Sequence, residues 1–246
     1  MSLIYQDIVS NKSKRLLAVL IDPEKESLSE IPNRILKINS SRATHIFVGG
    51  STDSESKTEV VIKEIKKYTE LPIVIFPGDV NQISNSADAI LFLSLISGRN
   101  PEYLIEKQVQ AVPKLLDAQL EVLATGYLLI DGGSQSAVER VSKTKPLSKN
   151  NIKRIVHTAK AGELLGMKLI YLEAGSGADS PIPIEIIRAV KTQLNIPLII
   201  GGGIKTNEQL QTAYEGGADL VVVGTAFEKD AQFFEKQIDQ EYILKK

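Results

Sequence analysis

Eight short apolar runs punctuate this chain, and their uniformity constrains the fold more than any other feature. They are Leu16–Ile21, residues 44–48, 72–76, 89–94, 121–130, 168–172 and 197–200, and Leu220–Val223. A strand with one face in water alternates apolar and polar side chains, whereas one buried on both faces reads as continuous Val, Ile and Leu. Between the runs lie stretches with apolar residues at helical spacing, such as Leu28, Ile31, Ile35, Leu36 and Ile38, or Ile184, Ile186, Ile187, Val190 and Leu194. Eight buried strands separated by helices in 246 residues predict a (β/α)8 TIM barrel spanning 1–246 as one domain. A doubly wound open sheet would place a GxGxxG turn after the first strand, and here that strand runs into Asp22-Pro23.

The pattern has irregularities. Only residues 80–88 separate the third strand from the fourth, too few for a crossover helix with its loops, so the third helix is expected to be missing or truncated. Residues 3–12 read as a short helix packed outside the first strand. Pro113 is expected to kink or divide the helix over 101–118. Residues 131–150, rich in Gly, Ser and Lys, read as a surface loop or mobile lid. Thr206 and Gln209 have capping-box spacing for the seventh helix, and the eighth begins near Thr225.

Composition narrows the function. A net charge of −1 argues against a nucleic-acid partner, which would call for a basic excess. The absence of cysteine excludes disulfides, thiolate zinc sites and cysteine nucleophiles. No signal-like N-terminus and no bilayer-length apolar run is present, so a reducing cytoplasm is the expected compartment. Of the two histidines, His45 starts a strand at the end of the barrel away from chemistry, and His157 falls mid-helix as a surface or structural residue.

Barrel enzymes work at the carboxyl ends of their strands, and the turns after strands seven and eight often hold phosphate. The polar residues at those ends are Asp22, Ser51, Thr52, Arg99, Thr125, Tyr127, Glu173 and Ser176, with Gly202-Gly203 and Gly224-Thr225 after the last two strands. Glycines at 175, 177, 202, 203 and 224 leave backbone N–H groups open to an anion, and helix N-termini add partial positive charge. Asp22 also has a plain reading as a turn residue before proline, and the glycines as packing residues. Glu173 has no hydrophobic reason to end a strand, which favours a functional role. Taken alone, the residues imply a barrel enzyme for a phosphorylated metabolite, with one carboxylate beside the phosphate and another across the mouth. They leave the reaction open.

At these same residues the chain resembles the geranylgeranylglyceryl phosphate synthases and their bacterial heptaprenylglyceryl phosphate relatives. The segments Leu20-Ile-Asp-Pro-Glu-Lys25, Val48-Gly-Gly-Ser-Thr52, Tyr171-Leu-Glu-Ala-Gly-Ser-Gly177, Ile200-Gly-Gly-Gly-Ile204 and Val223-Gly-Thr225 are similar to that family's signatures, in order and over essentially the whole chain. The strand-seven and strand-eight turns occur in many phosphate-binding barrels, and the Tyr171–Gly177 segment is far more specific. A missing third helix is also a family trait.

The resemblance implies a prenyltransferase: the 3-hydroxyl of sn-glycerol 1-phosphate attacks C1 of geranylgeranyl diphosphate, and diphosphate leaves. By position, Tyr171, Leu172, Glu173, Ala174, Gly175, Ser176, Gly177, Gly202, Gly203, Gly224 and Thr225 would hold glycerol 1-phosphate. Asp22 and Ser51 would bind Mg²⁺, and Glu173 would orient or deprotonate the attacking hydroxyl. A polyprenyl tail would need an apolar groove toward the gap left by the third helix. The lipid product implies peripheral membrane contact, and apolar residues Tyr103, Leu104, Ile105 and Val109 offer a surface for a homo-oligomer. The chain departs from some members at Leu20, where they carry a phosphate-contacting lysine. Its phosphate site would lean on backbone amides, with Arg99 and Lys205 as further cations. Two other readings compete: a phosphoribosyl-type isomerase using Asp22 and Asp131, and a non-catalytic phosphate-ligand binder.

Overall fold

In the computed structural model, which describes residues 4–11, 14–50, 57–224 and 226–227, the apolar runs close into one parallel barrel. The strands are β1 (Leu16–Ile21), β2 (His45–Val48), β3 (Ile73–Ile75), β4 (Ala89–Leu95), β5 (Glu121–Leu129), β6 (Leu169–Glu173), β7 (Leu198–Gly201) and β8 (Leu220–Val223). Each pairs with its neighbour in sequence, and β1 pairs with β8 to complete the ring. The (β/α)8 architecture holds.

Period-two geometry splits every strand between two cores. Leu17, Val19 and Ile21 of β1 face outward against Ile31, Ile35 and Ile38 of α2 (Ile31–Ser40). Leu16 and Ala18 face inward, where they meet Phe47, Val74, Leu91, Leu123, Tyr171 and Ile199. The outer ring continues through α3 (Lys57–Ile65), α4 (Lys107–Leu116), α6 (Ile152–Leu164), α7 (Ile184–Gln193) and α8 (Asn207–Glu215). Between β3 and β4 there is only a single 3-10 turn, Val80–Gln82, so the third helix is truncated as the short connection requires.

Three expectations change. The first helix, α1 (Ile4–Ser10), does not lie outside β1. Ile8 is fully buried in the inner core, and the N–H groups of Ile4 and Tyr5 donate to the Glu121 carboxylate at the start of β5, so α1 stoppers the amino-terminal mouth. Next, α4 runs through Pro113 without division. The break comes earlier, where a π-turn, Glu102–Glu106, passes into α4. Last, residues 131–150 are not a structureless loop. They hold α5 (Ala137–Ser142), capped by Ser136 through the Glu139 N–H at 3.0 Å, and a bridge from Ile130 to Leu147. Capping explains why a polar segment orders. The Thr206–Gln209 capping box of α8 forms as read, whereas a helix beginning at Thr225 falls outside the described residues.

The amino-terminal mouth is finished with carboxylates. Asp88, before β4, accepts from the Ile73 N–H at 2.8 Å and pairs with Lys66 at 2.7 Å. Asp219, before β8, accepts from the Leu198 N–H at 2.7 Å and pairs with Lys191 at 2.5 Å. The same clamp thus recurs in each half of the barrel, tying a strand start to the helix before it.

Candidate active site

At the opposite mouth, β6 ends by turning Tyr171 and Glu173 inward. Glu173 is only 7% exposed. Its Oε1 accepts from the Gly175 N–H at 2.8 Å, and the Tyr171 hydroxyl donates to the carboxylate. The backbone of β7 presses on both groups. A Cβ at Gly202 (φ +80°) would sit 2.3 Å from Glu173 Oε1, and one at Gly201 would sit 2.1 Å from the Tyr171 hydroxyl. Only glycine fits there. Among the described residues no cation pairs with Glu173, so burial pushes its pKa up to about 7 against the lowering pull of Gly175 and Tyr171. A carboxyl poised there is half-ionised at neutral pH and able to take a proton.

Beside it, among the described residues, the N–H groups of Ser176, Gly177, Gly202 and Gly203 donate to no backbone carbonyl. All four residues line the same cavity, together with Gly224 and Lys205. Unbonded amides gathered at a turn form an anion-binding concavity. Across the mouth stands Asp22, at the end of β1. Its Oδ1 accepts from the Glu24 N–H at 3.2 Å and its Oδ2 pairs with the exposed Lys25 at 3.1 Å. Gly50 comes close enough that a Cβ would lie 2.7 Å from Asp22 Oδ1.

The cavity joining these groups has a volume of about 950 Å³, at the large end for a ligand pocket. Its floor is aromatic: Tyr171 stacks on Phe76 at 5.1 Å, and Tyr127 lies 5.3 Å from Tyr171 and 6.0 Å from Phe76. Away from Glu173 it becomes apolar, passing Val80, Ile83, Leu93, Tyr103 and Ala111 beside the truncated third connection, with Val138 and Val141 of α5 along one side.

The structure brings Asp22, Tyr171, Glu173, Ser176, Gly177, Gly202, Gly203 and Gly224 to this one cavity. Leu172, Ala174 and Gly175 do not line it. Strand alternation sends Leu172 and Ala174 into the outer core, and the Gly175 N–H is spent on Glu173 rather than open to an anion. Ser51, Thr52 and Thr225 lie outside the described residues. Arg99 is also away from the cavity, its guanidinium turned back onto the Ile96 and Gly98 carbonyls. Thr125 is buried in β5 and donates to the Leu123 carbonyl at 2.7 Å. Asp131, the strand-five carboxylate an isomerase would use, is exposed and closes its own turn through the Gly133 N–H. His45 is fully buried at the stoppered mouth, and His157 is exposed on α6.

Sequence reasoning passed over Lys25, although its i+3 spacing from Asp22 was a usable signal. It also passed over Phe76 and the apolar face of α5, which carry no motif.

The PcrB family model matches residues 7–242. A geranylgeranylglyceryl phosphate synthase of Flavobacterium johnsoniae is 55% identical over 234 residues, covering 94% of this chain and 96% of the relative. One from Methanosphaera stadtmanae is 36% identical over 225 residues, covering 92% of each. The crystal structure of (S)-3-O-geranylgeranylglyceryl phosphate synthase from Thermoplasma acidophilum, in complex with its substrate sn-glycerol-1-phosphate, superposes with a TM-score of 0.89 at 33% identity, covering 96% of this chain and 95% of that one. With the family model and bacterial and archaeal relatives alike aligned almost end to end, this chain belongs to the PcrB family.

Proposed function

We infer that the chain is a prenyltransferase, a geranylgeranylglyceryl phosphate synthase that joins sn-glycerol 1-phosphate to a polyprenyl diphosphate through an ether bond. The observation that carries the reading is one cavity holding three things: a buried carboxyl with a pKa near 7, a set of free backbone amides beside it, and a long apolar arm. A phosphoribosyl-type isomerase has no use for the apolar arm, and its strand-five carboxylate does not reach the cavity.

In the proposed reaction the phosphate rests on the N–H groups of Ser176, Gly177, Gly202 and Gly203, with Lys205 at the rim adding charge. Glu173, fixed by Gly175 and Tyr171, faces the 3-hydroxyl. That oxygen attacks C1 of the prenyl diphosphate; the C1–O bond breaks and its electron pair leaves with diphosphate. The hydroxyl proton passes to Glu173. The isoprenoid lies along Phe76, Leu93, Tyr103 and Val138.

Mg²⁺ is the cation we propose opposite Glu173, held by Asp22. Among the described residues no three Asp, Glu, His or Cys side chains gather to hold a metal. A single carboxylate suits Mg²⁺, which keeps waters and takes further oxygens from substrate phosphates. Bound there, it would screen the leaving diphosphate. Ser51 is proposed as a second oxygen donor from the family pattern.

We also propose a cytoplasmic enzyme that meets membranes peripherally through its lipid product. Among the described residues no helix is long and apolar enough to cross a membrane. Ile105, Val109, Val112 and Leu116 recur along one side of the π-turn and α4 at 59%, 56%, 43% and 80% exposure, and this stripe supports a homo-oligomer.

The test is incubation with labelled sn-glycerol 1-phosphate and prenyl diphosphates of several lengths, with and without Mg²⁺. The expected result is a Mg²⁺-dependent prenyl ether with at least one length. Absence of ether product at every length overturns the reading.

A further inference from the structure

Where the third helix is cut short, the connection carries a buried polar side chain. Gln82, which ends the 3-10 turn Val80–Gln82, is 1% exposed. Its Oε1 accepts from the Gly78 N–H at 2.6 Å, and its Nε2 donates to the Gly50 carbonyl at 3.1 Å. One side chain thus joins the turn after β3 to the turn after β2. An amide is needed, because one turn asks for an acceptor and the other for a donor; methionine offers neither, and an ionised glutamate only the first. The 3-10 turn is itself anchored. Asp79 caps it through the Val80 N–H at 2.6 Å and pairs with Lys107 of α4 at 3.2 Å.

Gly50 is where this chain of contacts meets the cavity. A Cβ there would sit 2.7 Å from Asp22 Oδ1, 3.0 Å from its Cγ and 3.3 Å from its Oδ2, so the Gly50 backbone lies against the whole carboxylate. The polar contacts of Asp22 with the Glu24 N–H and Lys25 come from its own turn, and Gly50 supplies the wall from the neighbouring strand. Two successive glycines have little intrinsic hold on their own backbone. Gly49 is pinned by its N–H on the Ile21 carbonyl at 3.0 Å and by the Phe76 carbonyl pressed against it. For Gly50 the pin is Gln82.

We propose that Gln82 is a positioning residue: by holding Gly50 it fixes the Asp22 carboxylate for the cation that screens the leaving diphosphate, and this rests on the Mg²⁺ site proposed above. Groups hydrogen-bonded behind a metal ligand orient it and tune its affinity. The amides of residues 176, 177, 202 and 203 follow β6 and β7, across the ring from β2 and β3. Gln82 therefore acts on diphosphate and not on sn-glycerol 1-phosphate.

Calorimetric titration with inorganic diphosphate, once with Mg²⁺ and once with a chelator, tests this without turnover. Wild type should bind more tightly with Mg²⁺. In Gln82→Met that Mg²⁺-dependent gain should shrink by about 10-fold, the lower end for loss of an outer-shell partner. Affinity for diphosphate in chelator and for sn-glycerol 1-phosphate should stay at the wild-type level. Gly50→Ala pushes on the same carboxylate while leaving Gln82 in place, and it should reproduce the pattern; it decides the matter alone if Gln82→Met does not fold. An undiminished Mg²⁺ gain in the folded variant overturns the proposal, and so does an equal loss for sn-glycerol 1-phosphate, the mark of a mouth loosened throughout. Absence of any Mg²⁺ gain in wild type would instead sink the metal site at Asp22.

Discussion

At the amino-terminal mouth, Asp88 and Asp219 each accept a strand-start N–H and pair with a lysine, Glu121 takes two amides of α1, and Tyr214 has its carbonyl. At the carboxyl-terminal mouth, among the described residues, the buried Glu173 has no paired cation, Tyr127 has no hydrogen bond, and four backbone amides stand open. The residue types are the same. What differs is whether their bonding capacity has been used up within the chain. A carboxylate whose oxygens are taken by a lysine and a strand amide serves architecture, whereas an unpaired buried one such as Glu173, its pKa raised by burial, keeps a mobile proton and room for a ligand.

The largest effects should come from exchanging the two designs. Glu173→Gln keeps the shape and removes the proton acceptor, so turnover should fall by about 10²–10⁴-fold while sn-glycerol 1-phosphate binding changes little. Single-turnover kinetics with calorimetry check this; unimpaired turnover would return the protein to the non-catalytic binder reading. Asp219→Ala at the other mouth should do the reverse. It leaves the Leu198 amide and Lys191 without their partner, lowering stability by about 3 kcal/mol in denaturant titration with kcat retained. A matching loss of kcat in the folded variant would mean that the ends are not separable.

The two mouths also respond to pH with opposite sign. Glu173 rises from 4.5 to about 7 on folding, so the native state binds the extra proton and stability falls as pH climbs from about 4.5 to 7. His45, desolvated beneath the barrel against a weaker opposing pull from Asp7, drops from 6.5 to about 4. There the unfolded chain binds the extra proton, and stability falls as pH descends from about 6.5 to 4. Each displacement is worth about 3 kcal/mol, and the two cancel over the shared window. Glu173→Gln should therefore unmask stability that rises with pH between 4 and 6.5, and His45→Gln stability that falls between 4.5 and 7. Flat profiles from chemical denaturation in both variants would break the comparison.

Much of the carboxyl-terminal mouth was legible in the chain, and little of the amino-terminal one. Strand ends, glycine turns and Glu173 announce themselves because chemistry there departs from the apolar pattern. Asp88 and Asp219 look like ordinary loop residues, since their roles depend on a neighbouring strand 15 to 21 positions away in sequence. The fold was legible because continuous apolar runs have few ways to be buried, and even the truncated third connection follows from counting residues 80–88. The parts that misled were those in which local signals met tertiary packing. Polar residues 131–150 hid a capped helix, Leu172 and Ala174 sat within the signature yet faced away from its site, and α1 was drawn under the barrel by Ile8.

One pair blurs the contrast: Asp22, at the carboxyl-terminal mouth, does have a lysine. Lys25 is 60% exposed on its side chain, so the bond is screened by water and worth about 1 kcal/mol at most. Such a contact holds Asp22 in place without locking it away, unlike the buried clamp on Asp219. Lys25→Met should accordingly leave denaturant stability within about 1 kcal/mol. If Asp22 is the Mg²⁺ ligand, removing the competing ammonium should lower the Mg²⁺ concentration for half-maximal turnover by about 2–5-fold, the same energy expressed as a binding ratio. An unchanged Mg²⁺ dependence would remove Asp22 from the metal site and leave its carboxylate as a turn residue before Pro23. A large stability loss would instead make Lys25–Asp22 a clamp of the Asp219 kind, and the carboxyl-terminal mouth less open than its geometry implies.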